Sequence, residues 1–191
     1  LGYILPFSAS EVGDQASCRK SLGYGAEPLV VASIGGTGIG KDLLELCGRA
    51  FLLAKGEIPD LRLILVCGPR LDPNSIVAPE GVEVRGYVPD LYRHFAACDL
   101  AIVQGGGTIT LELTALRRPF LYFPLEGHSE QLNHVAGRLS RHGAGIPMLF
   151  SQTTPETLAR QITAHIGREA SWPVIAADGA KKSAEVICRF L

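Results

Sequence analysis

Short apolar runs closed by glycine or proline alternate along this chain with segments whose apolar residues recur at helical spacing. The runs are continuous rather than alternating apolar with polar, so a strand made from one must be buried on both faces. That pattern predicts an α/β fold: a Rossmann-like parallel sheet with helices on both faces. Strands are predicted at 29–34, 61–67, 82–85, 100–103 and 120–123, with a weaker one at 146–149. Helices are predicted at 41–55, 91–97, from Thr108 or Ile109 through Leu116, at 130–142, and after the Thr154-Pro155-Glu156 start. In folds of this kind ligands sit at the carboxyl ends of the strands, in the loops that open the next helices. Glycines cluster there, after Ile34, Cys67 and Val103.

Residues 1–28 are rich in turn formers around one short helical stretch, 11–22, and read as an interdomain linker. Residues 29–170 carry the regular pattern and form the domain; 171–191 read as a helical tail, with its helix at roughly 177–191. The chain starts at Leu1, as a fragment of a longer protein would. With 191 residues, 47% of them apolar, it can bury a real core. A net charge of −1 with scattered lysines and arginines argues against nucleic-acid binding. Five widely spaced cysteines without a CxxC pair exclude a zinc knuckle and fit buried free thiols in a reducing, cytoplasmic setting. No apolar run reaches the roughly 18 residues of a membrane span.

The first glycine loop, Gly35-Gly36-Thr37-Gly38-Ile39-Gly40-Lys41-Asp42, follows a strand and opens a helix, the setting in which free N–H groups bind an anion. It nearly spells a Walker A loop, but Asp42 stands where a Ser or Thr should hold magnesium. The dinucleotide pattern would need Gly or Ala at Lys41. A short-chain dehydrogenase pattern fails at Ser33, and no tyrosine has a lysine four residues later. A ligand-free strand–helix turn is the alternative. The second loop, Gln104-Gly105-Gly106-Gly107-Thr108-Ile109, again lets backbone approach a ligand, and suits a diphosphate bound without metal. Glu112 lies one helical turn beyond Thr108, positioned to accept hydrogen bonds from a ribose diol; it reads equally as a helix-start acid that favours the dipole. Past Pro124, the polar residues Glu126, His128, Glu130 and Gln131 suit sugar hydroxyls, or simply a capped helix start. His128 reads as a ligand contact, and as the weak candidate for a general base.

The stretch Gly106–Glu112, together with Arg118-Pro119, Phe123-Pro124 and Glu130-Gln131, resembles the donor-site signature of GT-B glycosyltransferases. Within that group it is most similar to the C-terminal domain of glycosyltransferase family 28, over most of residues 29–166. The resemblance implies one half of a GT-B fold. It puts Gly35, Gly36 and Thr37 near the diphosphate, Val88 at the base, Glu112 at the ribose, and Glu130 and Gln131 at the donor sugar. Gln104 and Thr108-Ile109 depart from the residues usual in the family, leaving Ile109 only its backbone N–H for phosphate.

The expectation is therefore a nucleotide-sugar-binding domain, for a UDP-sugar, of an inverting, metal-independent hexosyltransferase with no cofactor. The alternatives are a sugar-nucleotide epimerase, whose Thr-Glu-Arg-Pro segment is absent, and a non-catalytic donor-binding subunit needing a partner chain. No Asp-x-Asp pair is present to grip a metal diphosphate. The acceptor, the catalytic base and any peripheral membrane association would come from a missing N-terminal acceptor domain or partner subunit.

Overall fold

The computed structural model describes residues 2–190; the outermost residues of the predicted linker and tail lie outside them. Six strands, β1 (Leu29–Ser33), β2 (Arg62–Val66), β3 (Val82–Arg85), β4 (Leu100–Gln104), β5 (Phe120–Phe123) and β6 (Ile146–Pro147), form one sheet. Its order is β3-β2-β1-β4-β5-β6 and every pairing is parallel. This is the doubly wound order in which the chain reverses direction between β1 and β4. Every residue of β1, β4 and β5 is buried, as their continuous apolar sequences require.

The helices are α1 (Ala9–Val12), α2 (Gln15–Leu22), α3 (Lys41–Glu57), α4 (Leu91–Ala97), α5 (Gly107–Leu116), α6 (Ala136–His142), α7 (Pro155–His165) and α8 (Gly179–Ile187). Alternation along each strand divides the core in two. Val30, Ala32, Leu100 and Ile102 pack with Leu44, Phe51, Leu158 and Ile162 of α3 and α7. Leu29, Val31, Ala101 and Val103 pack on the other face with Phe95 of α4, Leu113 of α5 and Leu139 of α6.

The structure differs from the sequence expectation in four places. The stretch at 11–22 is two helices, broken at Gly13 (φ 82°), with Asp14 accepting a hydrogen bond from the Ser17 N–H to start α2. Residues 130–142 do not form a single α-helix: Glu130–Val135 is a π-helical turn that runs into α6. The weak strand shrinks to the two residues of β6, and the tail helix to α8.

The opening segment packs into the domain. Phe7, Val12, Cys18 and Tyr24 are buried in the second core. The Gln15 amide and the Arg19 guanidinium both donate to the turn that leads into β4, and Arg19 pairs with Asp99. The closing segment does likewise: Trp172 is buried and its indole N–H donates to the Thr114 carbonyl. The two segments are stitched together, the Tyr3 N–H donating to Ala176 O and the Gly179 N–H to Tyr3 O. Cys18, Cys47, Cys67 and Cys98 are buried free thiols. No helix among the described residues is long and apolar enough to cross a membrane.

Candidate functional site

The reversal between β1 and β4 leaves a crevice at their carboxyl ends, and both predicted glycine loops open onto it. Gly35 turns out of β1 with φ 75° and meets Gly68, the residue that turns out of β2 with φ 76°. A Cβ at Gly68 would collide with the Gly35 carbonyl oxygen, so these loops touch through backbone alone.

Gly36 and Gly106 differ from that pair. Gly36 lacks a positive φ, Gly106 sits in ordinary extended backbone (φ −67°, ψ 141°), and no atom lies within 4 Å of where either side chain would begin. Neither conformation nor internal packing demands glycine at these positions. Both leave backbone open to whatever enters the crevice.

Gly106 is the N-cap of α5, so the helix starts at Gly107, one residue earlier than expected, and no side chain caps it. The first N–H to find a helical carbonyl is that of Thr110, bonded to Gly106 O at 3.2 Å. The N–H groups of Gly107, Thr108 and Ile109 are thus left at the positive end of the helix dipole. Arg138 of α6 reaches behind this turn, donating to the Thr110 hydroxyl at 2.8 Å and to Gly107 O at 3.3 Å. A guanidinium here adds positive charge beside the free N–H groups. Sequence reading missed Arg138, because it is brought to the loop only by the packing of α6.

A cavity of about 340 Å³ opens between these loops and the segment after β3. Ser33, Gly35, Gly36, Val88, Ile109 and Glu112 line it, as do Tyr87 and Gly68, the glycine that follows Cys67. Pro6 of the opening segment closes one side, beside Phe7, whose ring stacks on Tyr92 at 4.4 Å between centroids. Glu112 stands at the back, only 8% exposed, with no hydrogen bond or ion pair to its carboxyl among the described residues. Burial alone pushes that carboxyl up to about 7.

Gln104 lies elsewhere. It continues the Leu100–Ile102 face of β4, so its buried side chain points to the α3 side of the sheet. There it lines a second, largely apolar cavity of about 350 Å³ with Ile39, Phe123, Pro124 and Phe150. The geometry therefore separates Gln104 from Val88 and Glu112. Thr37 is exposed at the tip of the first loop, its hydroxyl donating to Ile39 O at 3.3 Å.

The π-helical turn sets the far end of the site. Gln131 lies against Gly105, and its Oε1 accepts the Leu125 N–H at 2.8 Å, leaving its amide N–H groups without a protein partner among the described residues. Glu130 is exposed, with a carboxylate oxygen 3.7 Å from where a Gly107 side chain would begin. His128 is exposed in the preceding loop, and no carboxylate orients its ring among the described residues. No group of three or more His, Cys, Asp or Glu side chains is gathered to hold a metal ion among those residues.

Residues 31–185 match the profile of the glycosyltransferase family 28 C-terminal domain. The chain belongs to that family. A glycosyltransferase family 28 domain of this sequence is 33% identical over 145 residues to an uncharacterised glycosyltransferase of Methanosarcina acetivorans, a match covering 75% of this chain and 37% of the relative. It is 29% identical over 137 residues to the UDP-N-acetylglucosamine–N-acetylmuramyl-(pentapeptide) pyrophosphoryl-undecaprenol N-acetylglucosamine transferase of Carboxydothermus hydrogenoformans, covering 67% and 36%. The chain thus spans little more than a third of the length of these relatives. Among solved structures, the calicheamicin glycosyltransferase CalG4 matches its fold with a TM-score of 0.64 at 18% identity, over 87% of this chain and 44% of that one. Its fold neighbours are GT-B glycosyltransferases.

Proposed function

We propose that this family 28 domain binds the UDP-sugar donor of an inverting, metal-independent glycosyltransferase. The observation that carries the reading is the uncapped start of α5 at the carboxyl end of β4, next to a cavity lined by Gly36, Val88, Ile109 and Glu112. The base would enter the cavity beside Val88 and Tyr87, and the ribose diol would donate to the Glu112 carboxylate. The diphosphate would lie over Gly106, against the N–H groups of Gly107, Thr108 and Ile109, with Gly35, Gly36 and Thr37 on its other side. The sugar would extend toward Glu130 and Gln131. The choice of uracil is supported by the UDP-N-acetylglucosamine in the name of the Carboxydothermus relative, and the inverting outcome by the family resemblance.

This arrangement suits departure of a nucleoside diphosphate. As the bond from the anomeric carbon to the diphosphate oxygen breaks, negative charge grows on that oxygen. Fixed N–H dipoles at the start of α5 and the Arg138 guanidinium behind them stabilise the charge without reorganising. The acceptor hydroxyl and the base that takes its proton would come from a second domain or partner chain.

Calorimetry with UDP, dTDP, GDP and ADP, each with and without a chelator, tests the proposal. Saturable UDP binding that chelator leaves unchanged supports it. Absence of binding to every nucleoside diphosphate, or binding that vanishes with chelator, overturns it.

A further inference from the structure

The opposite end of the sheet, at the amino ends of β4 and β5, holds a different kind of cavity. It measures about 520 Å³ and lies between the turn before β4, the α5–β5 connection and the segment after α7. Five residues of β4 separate it from the glycine loops, roughly 15 Å at about 3.3 Å per residue. It is therefore independent of the donor reading.

Three guanidinium groups line it, those of Arg117, Arg118 and Arg168. None has a carboxylate within ion-pair distance among the described residues. Arg117 is exposed, with a left-handed backbone (φ 53°), and is held by a hydrogen bond from its Nη2 to Ala170 O at 2.9 Å. Arg118 has its Nε buried without any partner. Two carboxylates also line the cavity. Asp99 is already engaged by Arg19, by the Gln15 amide and by the Leu29 N–H. Glu169 is exposed at the rim. The wall therefore carries more positive charge than its own carboxylates neutralise.

The geometry points to a second anion site at this end, for a ligand of the phosphate class. Forked guanidinium donors match phosphate oxygens in pairs, and three of them line one cavity wall here. The ligand is either a free phosphoanion or the headgroup of an anionic lipid, and both offer the same oxygens.

Trp172, the chain's single tryptophan, makes the site readable. It lines the adjoining cavity, which shares Pro119, Arg168 and Glu169 with this one, so its emission reports on this end and not on the glycine loops. Inorganic pyrophosphate, titrated at constant ionic strength, should change Trp172 emission saturably. Arg118→Gln and, at an exposed position that does not endanger folding, Arg168→Gln should each weaken the response by about tenfold. In a second arm the protein is sedimented with phosphatidylcholine vesicles with and without phosphatidylglycerol. Retention only on the anionic vesicles, lost in both variants, assigns the site to a headgroup; a pyrophosphate response without retention assigns it to a free phosphoanion. Absence of both, or binding undiminished in both variants, overturns the inference. Nucleotide calorimetry at the other end stands or falls separately.

Discussion

Glu112 carries a carboxyl that burial pushes up to about 7 from an ordinary 4.5, with no protein partner to replace the lost water. The folded state holds this proton more tightly than the unfolded chain does. Its contribution to stability is full below about 4.5, declines as pH rises, and levels off above about 7. Glu112→Gln stays neutral and should escape that decline, giving a higher denaturant midpoint than the parent at pH 8 and little difference at pH 4. For the ligand the sign reverses. Ribose hydroxyls donate to the charged form, so UDP affinity in the parent should climb as pH rises through about 7. The variant should bind more weakly, by about 1.5–3 kcal/mol, and without that climb. Affinity that falls over the same interval in the parent would exclude the ribose role. Gly106→Ala makes the complementary test. With open space and allowed backbone, it should alter stability by no more than about 1 kcal/mol, the loss at an N-cap. It should cut UDP affinity by about tenfold or more, because a methyl group would stand where the proposed site puts the diphosphate. Equal affinity in parent and variant, by calorimetry, would remove the diphosphate from that loop.

At the scale of elements, the π-helical turn at Glu130–Val135 divides the labour of one side chain. Gln131 holds the loop with its oxygen and keeps its amide nitrogen without a protein partner among the described residues. Gln131→Ala should leave UDP affinity unchanged while weakening a UDP-sugar by about 0.5–1.5 kcal/mol, with a small stability loss from the unpaired Leu125 N–H. Equal losses for both ligands would place Gln131 away from the sugar. The strands were legible in the sequence because a run such as Leu29–Ser33 has no polar face to give to water. So were the two glycine loops and Glu112, whose spacing on α5 follows from helix geometry alone. The π turn was not, since Glu-Gln-Leu-Asn-His-Val satisfies an α-helix equally well and local sequence does not record an added residue per turn. Arg138 was hidden for another reason: its partners, Thr110 and Gly107, are supplied by tertiary packing. The location of Gln104 could have been read. Strand alternation puts it with Leu100 and Ile102 on the α3 side, and that argument outweighs its nearness to Gly106 in sequence.

For the whole molecule, the described residues offer one wall of a site. Free N–H groups and hydroxyl partners line it, but no side chain is oriented as a base toward an acceptor. The chain alone should therefore bind donor and fail to transfer it. Multiple-turnover transfer from a labelled UDP-sugar to any acceptor by residues 1–191, followed by product chromatography, would contradict this and direct attention to His128. The hydrogen bonds joining Tyr3 to Ala176 and Gly179 carry a further consequence. Polypeptide enters and leaves this unit side by side, so the fold behaves as a cassette with a single socket. Segments grafted before Tyr3 and after Gly179 should therefore emerge as neighbours, without rethreading the sheet.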